Sequence, residues 1–305
     1  MSLYPSLDDL LELRHATHTL GISSHHLVNS SFSGLYASVF RGTGINFEEV
    51  REYREGDDIR NMDWKVTART NKPHLKVYRE ERERSVVLCV DKGPHMEFGT
   101  RGTFKNIQAA RTAALIGWAA SRMHDRVGGL IFGDTTLGLQ YFRPLRDRQS
   151  LWRLLRAMAI PGKKLERSID DLTNSLQRVT TGLATGSLIF IIADFNREIL
   201  GLDLVLGSLI QRHTVVLLPI DDPTDWEIAN MGRITFAGSD GELVEIDTSN
   251  TAARANYQTA WQLRRNNLLS LVHRLGIFML PIRTDADIHK TLLRGLEERS
   301  RWKTL

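Results

Sequence analysis

Three short runs in this chain are apolar at nearly every position: SVVLCVD (85–91), SLIFIIAD (187–194) and TVVLLPI (214–220). A strand with one face in water alternates apolar and polar residues, so a run without alternation implies cover on both faces. Helical periods separate these runs. One helix is expected from about Phe104 to Met123, with Ile107, Ala110, Ala114 and Trp118 at its spacing. Others carry Leu151, Leu154, Leu155 and Met158, then Leu172, Leu176 and Val179, then a Leu-rich stretch to about Arg212. Buried strands alternating with helices predict an α/β fold, with a doubly wound, mainly parallel sheet and helices on both faces. RVGGLIFGDTTLGLQYF reads as two strands joined at a Gly-Asp turn, and 232–247 as a hairpin turning at Ser239-Asp240-Gly241. A helix from about Ala252 to Leu275 should stop at Gly276, followed by a last strand, IFMLPI. Thr284 and Asp287 are spaced as a capping box for a terminal helix with Ile288, Leu292 and Leu296.

Upstream of Ser85 the texture differs. An N-terminal helix carries Leu7, Leu10 and Leu11. From about Ser30 to Lys76, Gly34, Gly42, Gly44 and Gly56 punctuate a stretch rich in aromatic and charged residues. That pattern predicts a small β-rich subdomain, and the chain divides as 1–84 and 85–305.

Net charge is +4 and the pI about 9.3, too mild a bias to mark a nucleic-acid binder without a concentrated patch. The single cysteine, Cys89, lies inside an apolar run, as expected of a buried thiol, and one cysteine in 305 residues suits a reducing compartment. The N-terminus lacks a basic segment followed by an apolar one, and no apolar run approaches the roughly 20 residues a membrane helix needs. A soluble, cytoplasmic protein with no membrane insertion is expected.

Open α/β sheets bind ligands beyond the carboxyl ends of their strands. Asp91 and Asp194 end two of the buried runs there, and Asp170 or Asp171 stands in a loop that follows Arg167. Three converging carboxylates suit a hard cation such as Mg²⁺. Each also has a plain structural reading: Ser168 and Asp171 fit a capping box, and Asp194 could cap the next helix. The arginines of FRPLRDRQSLWRLLRAM (Arg143, Arg146, Arg148, Arg153 and Arg156) read first as a solvated helix surface. An acidic partner surface comes second and nucleic acid third, for want of interleaved aromatic residues.

The segment GTGINFEEVREYREGDDIRNMDWKVTARTNKPHLKVYREERE carries Gly42, Gly44, Phe47, Arg51, Tyr53, Gly56, Asp57, Asp58, Arg60, Asp63, Trp64, Ala68 and Arg69. It closely resembles the signature of a bacterial family of MoxR-associated proteins, domain of unknown function 58. The resemblance continues through the Asp91 run, Asp125-Arg126-Val127-Gly128, Ala193-Asp194-Phe195 and RTDADIHKTLLRGL. It implies a von Willebrand factor A-like domain with an N-terminal addition, no assigned enzymatic activity, and a MoxR-type AAA+ ATPase as partner, with further protein clients. The von Willebrand A metal motif is Asp-x-Ser-x-Ser, with a Thr and an Asp from later loops. This chain reads Asp91-Lys92-Gly93-Pro94-His95, with Asp170 at the expected Thr and Asp194 kept. Gly93 and His95 thus replace two hydroxyls, Lys92 adds a competing charge, and a degenerate metal site (Asp91, Asp170, Asp194) is expected. No cofactor is expected beyond a weakly held divalent cation.

Gly56, Asp57, Asp58, Arg60, Asp63 and Arg69 are read as a buried ion-paired network under the ring of Trp64, with a partner contact surface as the alternative. The functional expectation is a non-enzymatic adaptor or chaperone-like partner of a MoxR-type ATPase. Asp91 and Asp194 would then meet a Lys or Arg of that partner. The alternatives are a metal-dependent phosphodiesterase using the strand-end aspartates and a nucleic-acid binder using the arginines, and nucleic acid is not expected as a partner.

Overall fold

The computed structural model describes residues 3–16, 45–53, 62–80, 85–133, 138–161, 172–180, 182–197, 201–237 and 243–302. The chain forms two compact units, Arg41–Arg84 and the remainder. The larger unit is built on β3 (Ser85–Asp91), β4 (Arg126–Phe132), β5 (Gln140–Leu145), β6 (Leu188–Ala193), β7 (Thr214–Asp221) and β10 (Phe278–Met279). Their spatial order is β5-β4-β3-β6-β7-β10, and a further short strand, β11 (Ile282–Arg283), also pairs with β7. Only β4–β5 is antiparallel among these pairs. Counted within the sheet this is the 3-2-1-4-5-6 order of a doubly wound fold, whose direction reverses between β3 and β6.

The unalternated runs behave as expected. Val86, Leu88 and Val90 of β3 enter one core with Phe190 and Val216, while Val87 and Cys89 enter the other with Ile189, Ile191 and Leu217. The first core is closed by α1 (Leu7–Ala16), α3 (Lys105–Arg122), α4 (Arg148–Ala159) and α8 (Ile288–Trp302). The second is closed by α5 (Leu172–Thr180), α6 (Leu202–Ile210) and the C-terminal part of α7 (Thr251–Arg274). Each aliphatic side chain buried in this way contributes about 1.5–3 kcal/mol. Cys89 is fully buried, and burial pushes its thiol up to about 12. Among the described residues no helix is long and apolar enough to cross a membrane.

Several local expectations need correction. Helix α1 does not belong with the N-terminal subdomain: Leu10 is fully buried, and the Trp118 indole on α3 donates to the Leu10 carbonyl at 2.9 Å. The last strand is split, because Pro281, without an N–H, interrupts the ladder between β10 and β11. The capping box before α8 is half formed. Asp287 accepts from the Lys290 amide at 3.1 Å, but the Thr284 hydroxyl goes to Asp222 instead, at 2.7 Å. The arginine run is not one helix either. Arg143 lies on β5, Arg146 in the turn, and Arg148, Arg153 and Arg156 on α4, all exposed.

The smaller unit pairs β1 (Ile45–Glu52) antiparallel with β2 (His74–Glu80) and carries the short α2 (Trp64–Thr70). Asp63 caps α2, accepting from the Lys65 and Val66 amides at 3.0 and 3.1 Å. Trp64 and Arg69 are exposed, and no residue of α2 is buried. The buried network expected under Trp64 is therefore not formed by these three. Gly56, Asp57, Asp58 and Arg60 lie outside the described residues.

Candidate functional site

The reversal point between β3 and β6 is where a doubly wound sheet opens a crevice. Asp91 stands at its β3 side, Asp194 just beyond β6, and Asp221, Asp222 and Asp225 at the end of β7 and in the turn that follows. All five are buried. Buried carboxylates need partners, and here the chain supplies them.

Lys105 opens α3 and is 2 % exposed. Its ammonium lies 2.7 Å from Asp194 Oδ2 and 2.9 and 2.8 Å from the two oxygens of Asp225. A lysine in the first helical turn opposes the helix dipole, so these carboxylates account for its position. Burial opposes the Lys105 charge, but Asp194 and Asp225 outweigh it and hold the ammonium above its ordinary value. Burial also pushes the Asp225 carboxyl up, to about 6, against the pull of Lys105.

Asp91 Oδ2 accepts from His95 Nε2 at 2.9 Å and from Arg197 Nη2 at 3.0 Å, while Oδ1 takes the Gly93 amide at 2.9 Å. Burial opposes ionisation of Asp91, yet His95 and Arg197 together hold its carboxyl below the usual range. Burial likewise opposes the His95 charge, and Asp91 outweighs it, raising the ring above its ordinary value. Gly93 makes this possible: a β-carbon there would lie 2.4 Å from His95 Cε1. The two departures from Asp-x-Ser-x-Ser are thus one change. Without a side chain at 93, the imidazole folds back onto Asp91. Gly133, at φ +78°, is pressed against the same loop, where a β-carbon would meet Asp91 Oδ1 at 2.8 Å.

Around this centre the remaining acids are also engaged. Asp221 pairs with Arg265 of α7. Asp222 accepts from the Thr100 amide and hydroxyl at 2.9 and 2.5 Å, and from Thr284. Asp194 does not cap a helix. Its Oδ1 takes the Asn196 amide at 2.7 Å, and Asn196 in turn accepts from Arg264 Nε at 3.1 Å.

Of the expected metal ligands, Asp91 and Asp194 meet at the crevice, and Asp170 lies outside the described residues. Lys92 is not the competing charge, since its ammonium turns away to the Ala157 carbonyl at 3.1 Å. The competing cations are Lys105, Arg197 and His95. As arranged, these residues do not fit a hard divalent ion. The carboxylates hold nitrogen cations, both motif hydroxyls are replaced, and among the described residues no three His, Cys, Asp or Glu side chains form a ligand set. Nor do Asp91 and Asp194 await a basic residue from outside. Lys105, Arg197, Asp221, Asp222 and Asp225 were not singled out from sequence, although TVVLLPIDD repeats the apolar-run-then-acid pattern of the other two strands.

The chain is 27% identical over 290 residues to the uncharacterized protein Rv1480 of Mycobacterium tuberculosis, covering 95% of this chain and 90% of that protein. The same figures describe its likeness to the uncharacterized protein Mb1516 of Mycobacterium bovis. Similar solved structures include the conserved hypothetical protein BatB from Bacteroides thetaiotaomicron. That likeness has a TM-score of 0.43 and 13% identity, over 72% of this chain and 99% of that one. The SpRpn10 VWA domain gives a TM-score of 0.37 and 11% identity, over 70% and 94% of the two chains. Residues 49–267 match the family described as protein of unknown function DUF58, and with most of its length inside that match the chain belongs to this family.

Proposed function

We propose that this protein is a non-enzymatic binding partner of a MoxR-type AAA+ ATPase, using the strand-end loops at the sheet reversal as its contact face. The observation that carries this reading is the state of the crevice acids. Lys105 takes Asp194 and Asp225, His95 and Arg197 take Asp91, and Arg265 takes Asp221. A general base or metal-ligand set requires carboxylates open to a proton or a cation, and these are committed to the chain's own cations. A phosphodiesterase route through Asp91 and Asp194 would first have to break buried ion pairs. We read the site as one in which tethered nitrogen cations do the neutralising that a divalent ion does in the Asp-x-Ser-x-Ser motif. The loops are thereby fixed in shape and left to recognise a surface. The choice of ATPase comes from the family resemblance.

The test is co-purification of the tagged full chain with the MoxR-type ATPase of its own organism, at physiological salt, with ATP or with ADP. Retention under at least one nucleotide condition is expected, weakened when Asn196 in the Asp194–Asn196 loop is replaced by Lys. No retention under either nucleotide contradicts the reading.

A further inference from the structure

The charges at the reversal point are sorted by depth. The side chains of Asp91 and Lys105 are 1 % and 2 % exposed, and those of Asp225 and Asp194 are 7 % and 11 %. His95 and Arg197 are the outermost of the group, at 25 % and 23 %. Solvent therefore meets an imidazole and a guanidinium, while the carboxylates lie beneath. Asp91 is one anion shared by two cations, because both bind its Oδ2. Arg264, half-buried on α7 and bonded to Asn196, adds a third basic group to the same loop. His95 gives Nε2 to Asp91, and its Nδ1 side faces Gly93, where a β-carbon would stand only 2.7 Å away. The absence of that carbon leaves the second ring nitrogen uncovered by residue 93.

We propose that this rim receives a carboxylate from an acidic segment of the partner protein, held by Arg197 and the protonated His95 above the buried Asp91. This rests on the reading of the strand-end loops as a binding face and names what they recognise. Arginine matches a carboxylate through paired N–H donors, and charge-assisted bonds are the strong ones. The groups facing His95 are Asp91, Asp194 and Arg197, so the ring keeps its proton among two carboxylates and one guanidinium. An acidic peptide is favoured over nucleic acid because the basic groups are few, clustered, and backed by buried carboxylates. A phosphate backbone needs an extended basic stripe.

The test uses the full chain and a fluorescein-labelled octaglutamate peptide, followed by anisotropy at physiological salt and pH 6.5. An octalysine peptide and a single-stranded octathymidylate serve as comparison probes. Saturable octaglutamate binding is expected, weakened about tenfold by Arg197→Gln and by His95→Gln, as for loss of one charged contact. Arg197→Lys keeps a charge for Asp91 but loses the fork, and should weaken binding to an intermediate degree. The double variant Arg153→Gln/Arg156→Gln, on α4, should bind as the parent does. Far-UV circular dichroism identifies any variant that fails to fold. The inference is overturned if octaglutamate does not bind, if octathymidylate binds as tightly, or if the loss follows the α4 arginines instead. If the ATPase is retained and depends on Asn196 but not on Arg197 or His95, the binding face stands and the carboxylate receptor falls. If octaglutamate binds as described while no ATPase is retained, the receptor stands and the partner assignment falls.

Discussion

At the residue scale the account turns on Lys105. Its ammonium is shared by two buried carboxylates, so Lys105→Met leaves Asp194 and Asp225 without their cation in a dry site. Breaking a buried pair from one side costs on the order of 3–5 kcal/mol, and urea unfolding at pH 7 should show a loss of that size. A change below 1 kcal/mol would mean that the carboxylates are neutralised in another way. The Asp91–His95 pair makes a second, pH-dependent claim. A histidine raised in the folded state stabilises fully below its unfolded value of about 6.5, and that contribution is lost as pH rises through the folded value. A lowered aspartate contributes above about 3.9, and its share is lost as pH falls through its folded value. The pair therefore supports the fold most strongly between these limits. His95→Gln should flatten the decline of stability above about pH 6.5; an unchanged decline would remove His95 from the linkage. Little of this was legible in the sequence. Asp91 and Asp194 announced themselves as acids ending apolar runs, but their partners come from 14 to 89 residues away or from loops with no motif. The one local sign of Lys105 was a cation in the first turn of a helix, where the dipole disfavours it.

At the scale of elements, periodicity was a better guide. Strands buried on both faces lack alternation for a physical reason, and β3, β6 and β7 appeared where the unalternated runs lie. Helix α7 ends where Gly276, at φ +63°, supplies the left-handed residue that its C-terminus requires. The errors fall where local signals are ambiguous. Pro144 and the turn at Arg146 separate a strand from a helix inside a run whose arginines looked continuous. Thr284 had the spacing of a cap but found a stronger acceptor in the buried Asp222. Helix α1 was grouped with its sequence neighbours, whereas Leu10 is buried against α3 of the sheet unit. Leu10→Ala should accordingly lower the stability of the sheet unit by about 2–5 kcal/mol, as a core truncation does. Thermal denaturation followed in the near-UV reads this. An effect within about 0.5 kcal/mol, as for a surface change, would place α1 outside that core.

At the scale of the whole molecule, the doubly wound order brings the ends of β3 and β6 to one crevice, and the family match embraces that sheet. A fold of this kind hosts many activities, so function has to be read from what fills the crevice. Here Lys105, His95, Arg197 and Arg265 fill it with charge from the chain itself. The most direct measurement is calorimetric titration of Mg²⁺ into the metal-free full chain at pH 7.5. Our account predicts no saturable heat at micromolar to millimolar Mg²⁺, because nitrogen cations already satisfy Asp91 and Asp194. Tight, stoichiometric Mg²⁺ binding that disappears in Asp194→Ala would contradict it.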